Sequence, residues 1–394
     1  MGLNETVSAE RVHIGFFGIR NAGKSSLVNA VTGQDLSVVS DTKGTTTDPV
    51  KKAMELLPLG PVVIIDTPGL DDEGELGQKR VKKGLSILSG TDIAVLTVDS
   101  TAGLSAPDYE LIEKLEKAEI PFVIACTKSD LADYTPPAGY TYVKVSSLTG
   151  EGINELKELL GSFAPKFKEE KYILRHLIKG GGSVILVTPC DGSAPKGRLI
   201  LPQQQVLREM LDSNIVTAVV QETELEKALD MLKDKPEIVV TDSKVFGYVN
   251  KIVPKDIMLT SFSVLFANYK GELSELVKGA EKLSKLSNGS KVLISEGCTH
   301  HRQCADIGTV LMPGWIREYS GSEPEFSFTS GNEFPDDLEG FELVVHCGGC
   351  MLNERAMKSR INICKASGVP IVNYGIAIAK MRNMLDRALE PFKI

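Results

Sequence analysis

The feature that most constrains the fold is a glycine-rich segment near the start of the 394-residue chain. Residues Gly18–Ser25, GIRNAGKS, fit the pattern G-x-x-x-x-G-K-[ST]. The apolar run VHIGFF before them predicts a strand, and KSSLVNAVTG predicts a helix beginning inside the motif. Strand, glycine-rich loop and helix in this order form a P-loop, whose backbone N–H groups converge on phosphate oxygens. The first domain is therefore expected to be a P-loop nucleotide-binding fold.

The loop chemistry assigns two side chains. Lys24 is expected to reach the β- and γ-phosphates, and the Ser25 hydroxyl to bind Mg²⁺. The loop residues predicted to contact the nucleotide are Gly18, Asn21, Ala22, Gly23, Lys24, Ser25 and Ser26.

Three later segments favour GTP over ATP. Asp66, which ends the apolar strand PVVIID, is placed to hold Mg²⁺ through water, and the Gly69 amide to sense the γ-phosphate. Residues Thr127–Asp130, TKSD, end the strand FVIAC. Asp130 is expected to accept hydrogen bonds from guanine N1 and N2, which adenine does not offer in the same way. Lys128 is expected along the base plane, and the Ser146 and Ser147 backbone near guanine O6.

Val- and Ile-rich strands alternate with amphipathic helices along the whole chain, which predicts an α/β class with three parallel-sheet domains, the first a P-loop GTPase fold. The expected boundaries are 1–170, 171–265 and 266–394. The middle block shows no clustering of ionisable residues. A packing or dimerisation role therefore fits it better than a second catalytic site.

Charge and hydropathy exclude two classes of partner. A net charge of −8 argues against non-specific nucleic-acid binding, which depends on clustered Lys and Arg. The polar opening MGLNETVSAERVH lacks the apolar region of a signal peptide, and no apolar run reaches the roughly 20 residues of a membrane span. The chain is therefore expected to be cytoplasmic, with no membrane and no nucleic-acid partner.

The cysteines form the second chemical feature, because five of the seven follow residue 297. In a reducing cytoplasm disulfides are not expected. Cys298 and His300 follow the strand KVLISEG, and His346, Cys347 and Cys350 follow FELVV. Loops after neighbouring parallel strands meet at one sheet edge, so these residues are expected to line one pocket.

The residues alone leave the occupant of that pocket open. Zinc suits a Cys₃His set, three thiolates with an uncertain fourth ligand suit an iron–sulfur cluster, and a buried or redox-active CxxC needs no metal. Cys126, Cys190 and Cys364 lie in strand or helix patterns and are expected in the core.

The nucleotide-site residues resemble the Era/TrmE group of translation-factor-class GTPases. Residues Gly44–Asp48, GTTTD, are similar to the GTTRD switch I of that group, which implies Mg²⁺ contact by Thr46, with Thr45 or Thr47 as alternatives. The resemblance also implies K⁺ binding by Asn21, although a solvent-facing polar loop residue is the competing interpretation. Leu70 stands where Ras-like enzymes carry a water-positioning Gln, so turnover is expected to be slow and K⁺-stimulated.

The pattern Cys-x-His, 45 residues, His-Cys-x-x-Cys resembles the C-terminal signature of the [FeFe]-hydrogenase maturation GTPases, the HydF family, and residues 194–202, APKGRLILP, are similar to that family too. The resemblance implies a [4Fe–4S] cluster on Cys298, Cys347 and Cys350. His300 and His346 are then candidates for the fourth position or, alternatively, hydrogen-bond donors to the cluster sulfides.

The same resemblance implies a homodimeric scaffold that binds GTP and GDP. Such a scaffold would receive a di-iron precursor from the radical-SAM maturases HydE and HydG and deliver it to apo-[FeFe]-hydrogenase. The alternative is an Era/TrmE-like RNA-modification or ribosome-assembly GTPase with a C-terminal zinc domain.

Overall fold

The computed structural model describes residues 8–33, 50–70, 84–163, 171–190, 197, 199–297, 307–331 and 333–393. The chain divides into two compact units, Met1–Glu169 and Glu170–Ile394. Within the described ranges, three β-sheets organise these units, one in the first unit and two in the second.

The first unit is built on a six-stranded sheet with the order β2-β3-β1-β4-β5-β6. Its strands are β1 (Val12–Phe17), β2 (Val50–Leu56), β3 (Gly60–Asp66), β4 (Ile93–Asp99), β5 (Phe122–Thr127) and β6 (Tyr142–Lys144). The helices with regular α geometry are α1 (Lys24–Thr32), α2 (Ala106–Lys117) and α3 (Ile153–Ser162). Two apolar clusters cover the two faces of the sheet, as a buried parallel sheet requires.

One strand of this sheet was not expected from the sequence. β2 pairs antiparallel with β3, whereas every other pair in the sheet is parallel. It lies at the sheet edge, and Lys51, Lys52 and Glu55 point into solvent. An edge strand is held largely by backbone hydrogen bonds on one side, so its side chains need no apolar run that would mark it in the sequence.

The second unit contains two four-stranded sheets, both wholly parallel. The order β10-β9-β7-β8 comprises β7 (Ser183–Val187), β8 (Val216–Val220), β9 (Ile238–Thr241) and β10 (Met258–Ser261). The helices that accompany it are α4 (Leu201–Asp212), α5 (Leu225–Met231), α6 (Phe246–Ile252) and α7 (Phe262–Lys270).

The third sheet has the order β12-β11-β13-β14. Its strands are β11 (Lys291–Ser295), β12 (Glu325–Thr329), β13 (Leu343–His346) and β14 (Ile371–Asn373). The helices are α8 (Leu273–Ala280), α9 (Met312–Ser320), α10 (Glu354–Ala366), α11 (Tyr374–Met381) and α12 (Leu385–Leu389), and a π-helical turn, Ile307–Leu311, precedes α9.

One hydrophobic core joins the two sheets of the second unit. It extends from Ile185 and Val239 in the second sheet to Val345 and Ile371 in the third. The domain boundary expected at residues 265 and 266 lies inside α7. The expected α/β class with parallel sheets and a P-loop fold is confirmed. In the described part of the chain, no helix combines the length and apolar character needed to cross a membrane.

Candidate functional site

The P-loop connects β1 to α1 at the carboxyl end of the first sheet. Gly18 has φ +146°, and a Cβ there would lie 2.3 Å from the Thr97 carbonyl oxygen, so only glycine fits against β4. Helix α1 begins at Lys24, directly after the loop. The first N–H groups of a helix have no partners within it, so this end of α1 presents donors where a phosphate would lie.

Lys24 lies within the loop and is only 8% exposed. Its Nζ donates to the carbonyl oxygens of Gly18 at 2.8 Å and Ile19 at 2.7 Å. The ammonium is thus held over the loop by neutral acceptors, which phosphate oxygens can replace with a stronger, charge-assisted contact. Asn21 is exposed with φ +60°, a left-handed conformation that asparagine tolerates better than most residues.

The two residues predicted to hold Mg²⁺ from opposite elements lie together. The Ser25 Oγ donates to Asp66 Oδ2 at 3.1 Å, because β3 pairs with β1 and places Asp66 opposite Phe16. The Leu70 N–H donates to the Gly18 carbonyl at 3.2 Å, so the segment after Gly69 starts against the P-loop. Thr46 lies outside the described residues, as do its neighbours Thr45 and Thr47.

Thr127 links the base-recognition strand to the P-loop. Its Oγ1 donates to the Ala22 carbonyl at 2.7 Å and lies 3.1 Å from the Val98 carbonyl, and the side chain is 2% exposed. The commoner motif carries asparagine at this position, and here a hydroxyl makes the contact from β5 to the loop. The sequence TKSD in place of the commoner NKxD therefore keeps β5 connected to the P-loop.

Lys128 has φ +56° and forms a 2.5 Å ion pair through Nζ with Asp99 Oδ2. Burial raises the pKa of Asp99, but hydrogen bonds from Lys128 and Thr101 outweigh this and hold the pKa below its ordinary value. Asp99 was not singled out from the sequence. The sequence feature that could have indicated Asp99 is its position as an acidic residue at the end of the largely apolar strand β4.

The remaining guanine-site residues lie at the ends of β5 and β6. Asp130 is exposed, and the preceding Ser129 N–H donates to the Val145 carbonyl at 3.2 Å. Ser146 is fully buried, and its N–H donates to the Glu151 carbonyl at 3.0 Å. Ser147 is half-buried.

The cysteine loops follow neighbouring strands, as expected. β11 pairs with β13 so that Ser295 lies opposite His346, and Cys298 and Cys347 follow these two positions closely. The Gly297 N–H donates to Cys347 Sγ at 3.0 Å, and the Gly349 N–H contacts the same sulfur at 3.4 Å. Two backbone donors on one sulfur favour the thiolate, the form that binds metals.

Cys350 closes the CxxC loop just before α10. Gly349 has φ +63°, which a residue with a Cβ rarely adopts, so the glycine permits the turn between the thiols. Lys270, 2% exposed, donates to the carbonyl oxygens of Cys350 at 3.1 Å and Leu352 at 3.0 Å. Burial raises the pKa of the Cys350 thiol, partly opposed by the charge of Lys270.

His346 is completely buried, and both of its ring nitrogens are hydrogen-bonded. Nδ1 lies 2.7 Å from the Cys347 carbonyl oxygen, and Nε2 lies 2.7 Å from Arg360 Nη1. Burial, with the nearby Arg360 charge, lowers the pKa of His346 to about 3, so the ring is neutral at pH 7. Arg360 was not anticipated from the sequence, where it is one of several polar residues in a helix.

The cysteines predicted to be structural divide into two groups. Cys126 and Cys364 are buried, and burial raises the pKa of Cys126 to about 11 and of Cys364 to about 12, as expected for core thiols. The prediction for Cys190 was wrong. β7 ends at Val187, so Cys190 lies beyond the strand and is exposed, with Gln221 Nε2 at 3.4 Å from its sulfur.

Two predicted metal-site residues, Cys298 and His300, fall in the segment 298–306, outside the described residues. Among the residues that are described, no group of three His, Cys, Asp or Glu side chains is arranged to hold a metal. The donors on Cys347 Sγ and the two buried cations near this loop, Lys270 and Arg360, nevertheless fit a negatively charged group bound by thiolates.

Family models match most of the chain. Residues 13–128 match the model described as a 50S ribosome-binding GTPase. Residues 173–271 match the hydrogen maturase F dimerization domain, and residues 274–391 match the hydrogen maturase F tetramerization domain. The last two models together span more than half of the chain, and they meet close to the end of α7.

Individual relatives match over about two fifths of the chain. The tRNA modification GTPase MnmE of Granulibacter bethesdensis is 36% identical over 163 residues, 40% of this chain and 36% of the relative. GTPase Era of Synechocystis sp. is 30% identical over 161 residues, 37% of this chain and 51% of the relative. The G domain of the T. maritima FeoB iron transporter is similar with a TM-score of 0.31 and 28% identity, over 39% of this chain and 99% of that domain. The match to each of these two curated relatives thus spans about half of the relative's length or less.

Proposed function

This chain belongs to the hydrogen maturase F family, and from that premise we propose that it is a GTP-hydrolysing iron–sulfur scaffold that carries a di-iron precursor to apo-[FeFe]-hydrogenase. The observation that carries the proposal is the combination of a P-loop connected to the TKSD strand in one unit with a CxxC loop in another, where the Gly297 N–H donates to Cys347 Sγ. The match to MnmE covers 40% of this chain, whereas the hydrogen maturase F models match residues 173–271 and 274–391 of the second unit. This favours the scaffold over an RNA-modification or ribosome-assembly GTPase with a zinc domain.

GTP hydrolysis in this proposal uses the chain's own fixed donors. The α1 N-terminus and Lys24 bind the phosphates and stabilise charge that develops on the γ-phosphate. Ser25, Asp66 and Thr46 would hold Mg²⁺, which neutralises charge between the β- and γ-phosphates. Gly69 is placed after β3 to sense the γ-phosphate with its N–H.

Base selection rests on the ends of β5 and β6. Asp130 accepts from guanine N1 and N2, and Lys128, oriented by Asp99, lies along the base. Because the Ser146 N–H already donates to Glu151, Ser147 is the better placed of the two serines to donate to guanine O6.

The test is hydrolysis of GTP, ATP and XTP by the wild type and by Asp130→Asn. In this variant the side-chain amide can donate to the C2 carbonyl of xanthine. We therefore expect the affinity for GTP to fall at least about tenfold and the affinity for XTP to rise. Unchanged discrimination would contradict the assignment.

Slow, K⁺-stimulated turnover is the second element of the proposal. Leu70 offers no group to position water, and Asn21 is exposed beside the phosphate loop. A K⁺ held there would supply positive charge in the role of an arginine finger. The measurement is GTP turnover in K⁺ against Na⁺ buffer, with Asn21→Ala as the matched variant. Equal rates in the two buffers would remove K⁺ from the mechanism.

For the second unit, we propose that Cys298, Cys347 and Cys350 hold a [4Fe–4S] cluster, with His300 and His346 as candidates near its fourth position. A cluster iron without a fourth thiolate supplies an exchangeable position where a further group can attach. The chain's own contribution is to present two thiols from one glycine-containing loop and to direct two backbone N–H groups at Cys347 Sγ.

Anaerobic reconstitution with iron and sulfide tests the metal directly. We expect about four iron atoms per chain and broad absorption near 400 nm for the wild type. A Cys347→Ser, Cys350→Ser variant should bind much less iron while keeping GTP turnover. One zinc per chain and no iron would overturn the cluster assignment and leave the GTPase assignment intact.

In this proposal, HydE and HydG supply the precursor, and GTP hydrolysis switches the chain between partner-bound states. We assign the switch to residues 38–49 and 70–80, of which all but Leu70 lie outside the described residues. The measurement is release of each maturase from the immobilised chain with GTP and with a non-hydrolysable analogue. Equal release under both conditions would contradict the switch.

The homodimer is proposed to form through the second unit. β8 lies at the sheet edge, and two valines on it are unusually exposed, Val216 at 69% and Val219 at 40%. An apolar edge strand is prone to pair with another chain unless it is covered. We expect the double variant Val216→Lys, Val219→Lys to lower the sedimentation coefficient to that of a monomer without changing GTP turnover per chain. An unchanged sedimentation coefficient would exclude β8 as the dimer interface.

A further inference from the structure

One buried side chain next to the cysteine loop, Arg360, has been given no role of its own above. Arg360 lies in α10 and is 4% exposed. Its guanidinium donates to His346 Nε2 at 2.7 Å, to Ser295 Oγ at 3.3 Å and to the Gly331 carbonyl. It also lies over the Phe334 ring, 5.1 Å from the centroid.

These contacts are all with neutral groups, and among the described residues none of the Arg360 contacts is a carboxylate. Burying an uncompensated charge costs several kcal/mol, so buried cations normally face an anion. Through His346, Arg360 lies next to the Cys347 backbone, so the thiolates proposed to bind the cluster are on the side of the site where a compensating negative charge would lie.

The Arg360 contact also fixes the state of His346. A guanidinium is always a donor, so Nε2 of His346 must accept, and the ring proton is therefore on Nδ1. Nδ1 then donates to the Cys347 carbonyl oxygen at 2.7 Å. Both nitrogens are used, and the fully buried ring has no lone pair free for a metal unless the Arg360 contact breaks.

The result is a continuous chain of contacts from α10 to the metal-binding loop. Arg360 holds His346, His346 holds the Cys347 backbone, and the Cys347 N–H donates to the Ser295 carbonyl at 2.9 Å. Ser295 also receives the second Arg360 contact, so the guanidinium fastens the ends of both strands that precede the cysteine loops.

Resting on the cluster function proposed above, we propose that Arg360 is the positioning residue of the cluster site: it keeps His346 out of the metal coordination sphere, as a support for Cys347, and places a buried positive charge beside the cluster. A cluster bound by three thiolates is anionic and becomes more negative on reduction. A nearby buried cation therefore favours the reduced state.

The experiment uses the full chain, reconstituted anaerobically, as wild type, Arg360→Lys, Arg360→Gln and Arg360→Met. The ratio of reduced to oxidised cluster is measured by EPR at a fixed ambient potential. We expect the ratio to fall about tenfold or more in the Gln and Met variants, and Lys to restore most of it because the charge remains. Arg317→Met is the matched control, since it removes a half-exposed guanidinium that lies 5.1 Å from the Phe326 ring in the same unit.

The histidine assignment is tested separately, so that it remains measurable if Arg360→Met does not fold. ¹⁵N-histidine hyperfine coupling is recorded for wild type, His346→Asn and His300→Asn. We expect His346→Asn to keep its iron and to show the same ¹⁵N-histidine hyperfine coupling as the wild type. Loss of a histidine coupling only in His346→Asn, or an unchanged redox ratio in folded Arg360→Gln, would overturn the inference. Failure of the wild type itself to bind iron would instead overturn the proposed function.

Discussion

The nucleotide site and the cysteine site are built in contrasting ways. Residues Gly18–Ser25 form one continuous loop that ends at the start of α1, and in the proposed function this loop provides most of the groups that bind phosphate. The cysteine loops instead depend on supports that are distant in sequence, Lys270 from α7 and Arg360 from α10. The difference teaches that a contiguous motif identifies a site almost completely, whereas a site assembled from separate loops hides the residues that hold it in place.

Removing the P-loop lysine is expected to have the largest effect. Lys24→Ala deletes the buried ammonium that faces the phosphates, and kcat/KM for GTP should fall by about 100- to 1,000-fold. Lys117→Ala, an exposed lysine at the end of α2, is the matched control and should change the rate little. Iron content after reconstitution should be unchanged in both. A loss smaller than tenfold would show that Lys24 does not contact the reacting phosphate.

The second prediction concerns the start of the second unit. Glu209 accepts the N–H groups of Ile173, Leu174 and Arg175 at 2.6, 2.7 and 2.8 Å. Glu209→Gln replaces one accepting carboxylate oxygen with an amide NH₂ group, which cannot accept from a backbone N–H. The free energy of unfolding of this unit should therefore fall by about 2 kcal/mol. In a denaturant titration, loss of bound iron reports on unfolding of the second unit, and loss of GTP turnover reports on unfolding of the first. Glu226→Gln, at an exposed position in α5, provides the comparison, and equal stability of the two variants would contradict the prediction.

The third prediction tests the connection inside the nucleotide site. Thr127→Val removes the hydroxyl that donates to the Ala22 carbonyl and leaves two buried carbonyls without it. The expected loss is about 1–2 kcal/mol of unfolding free energy for the first unit, with a several-fold rise in KM for GTP. Thr32→Val, at a half-exposed helical position, should have less effect because its hydroxyl bonds within its own helix. Equal KM values in the two variants would mean that Thr127 does not position the loop.

The smallest effect is expected at the start of α10, next to the cysteine loop. Glu354 forms ion pairs with Lys171 and, at 2.7 Å, with Lys358. These pairs are partly exposed, so Glu354→Gln should cost less than about 1 kcal/mol. A double-mutant cycle with Lys171→Met isolates the first pair, and a coupling energy well above that value would contradict this ranking.

The same carboxylate gives a pH prediction. Burial raises the pKa of Glu354, but hydrogen bonds and charges from Lys171 and Lys358 outweigh it and hold the pKa below the ordinary value of 4.5. A pKa lowered by folding adds stability that is present above the unfolded-state value and is lost as pH falls through the folded-state value. The difference between wild type and Glu354→Gln should therefore shrink below about pH 4.5, as measured by thermal melting across pH.

The predictions for the nucleotide site rest on local information in the sequence. Each predicted residue from the P-loop, Asp66 and Thr127 is either in one motif or at the end of an apolar strand, and the structure brings them together. Asp99 was missed because an acidic residue at a strand end has no distinctive spacing. β2 and β12 were missed because edge strands carry exposed side chains that resemble a loop.

By itself, the sequence determined the α/β class, the P-loop between β1 and α1 and the strands that precede the two cysteine segments, since these follow from strand patterns and from glycine and cysteine spacing. Only the tertiary structure decided that His346 is buried with both nitrogens engaged and that Arg360 lies beneath it. It also decided that Cys190 is exposed and that the second and third sheets share one core. The physical reason is that burial and hydrogen-bond partners depend on which helix packs over which strand end, and helix α10 contributes Arg360 through packing that no local pattern encodes.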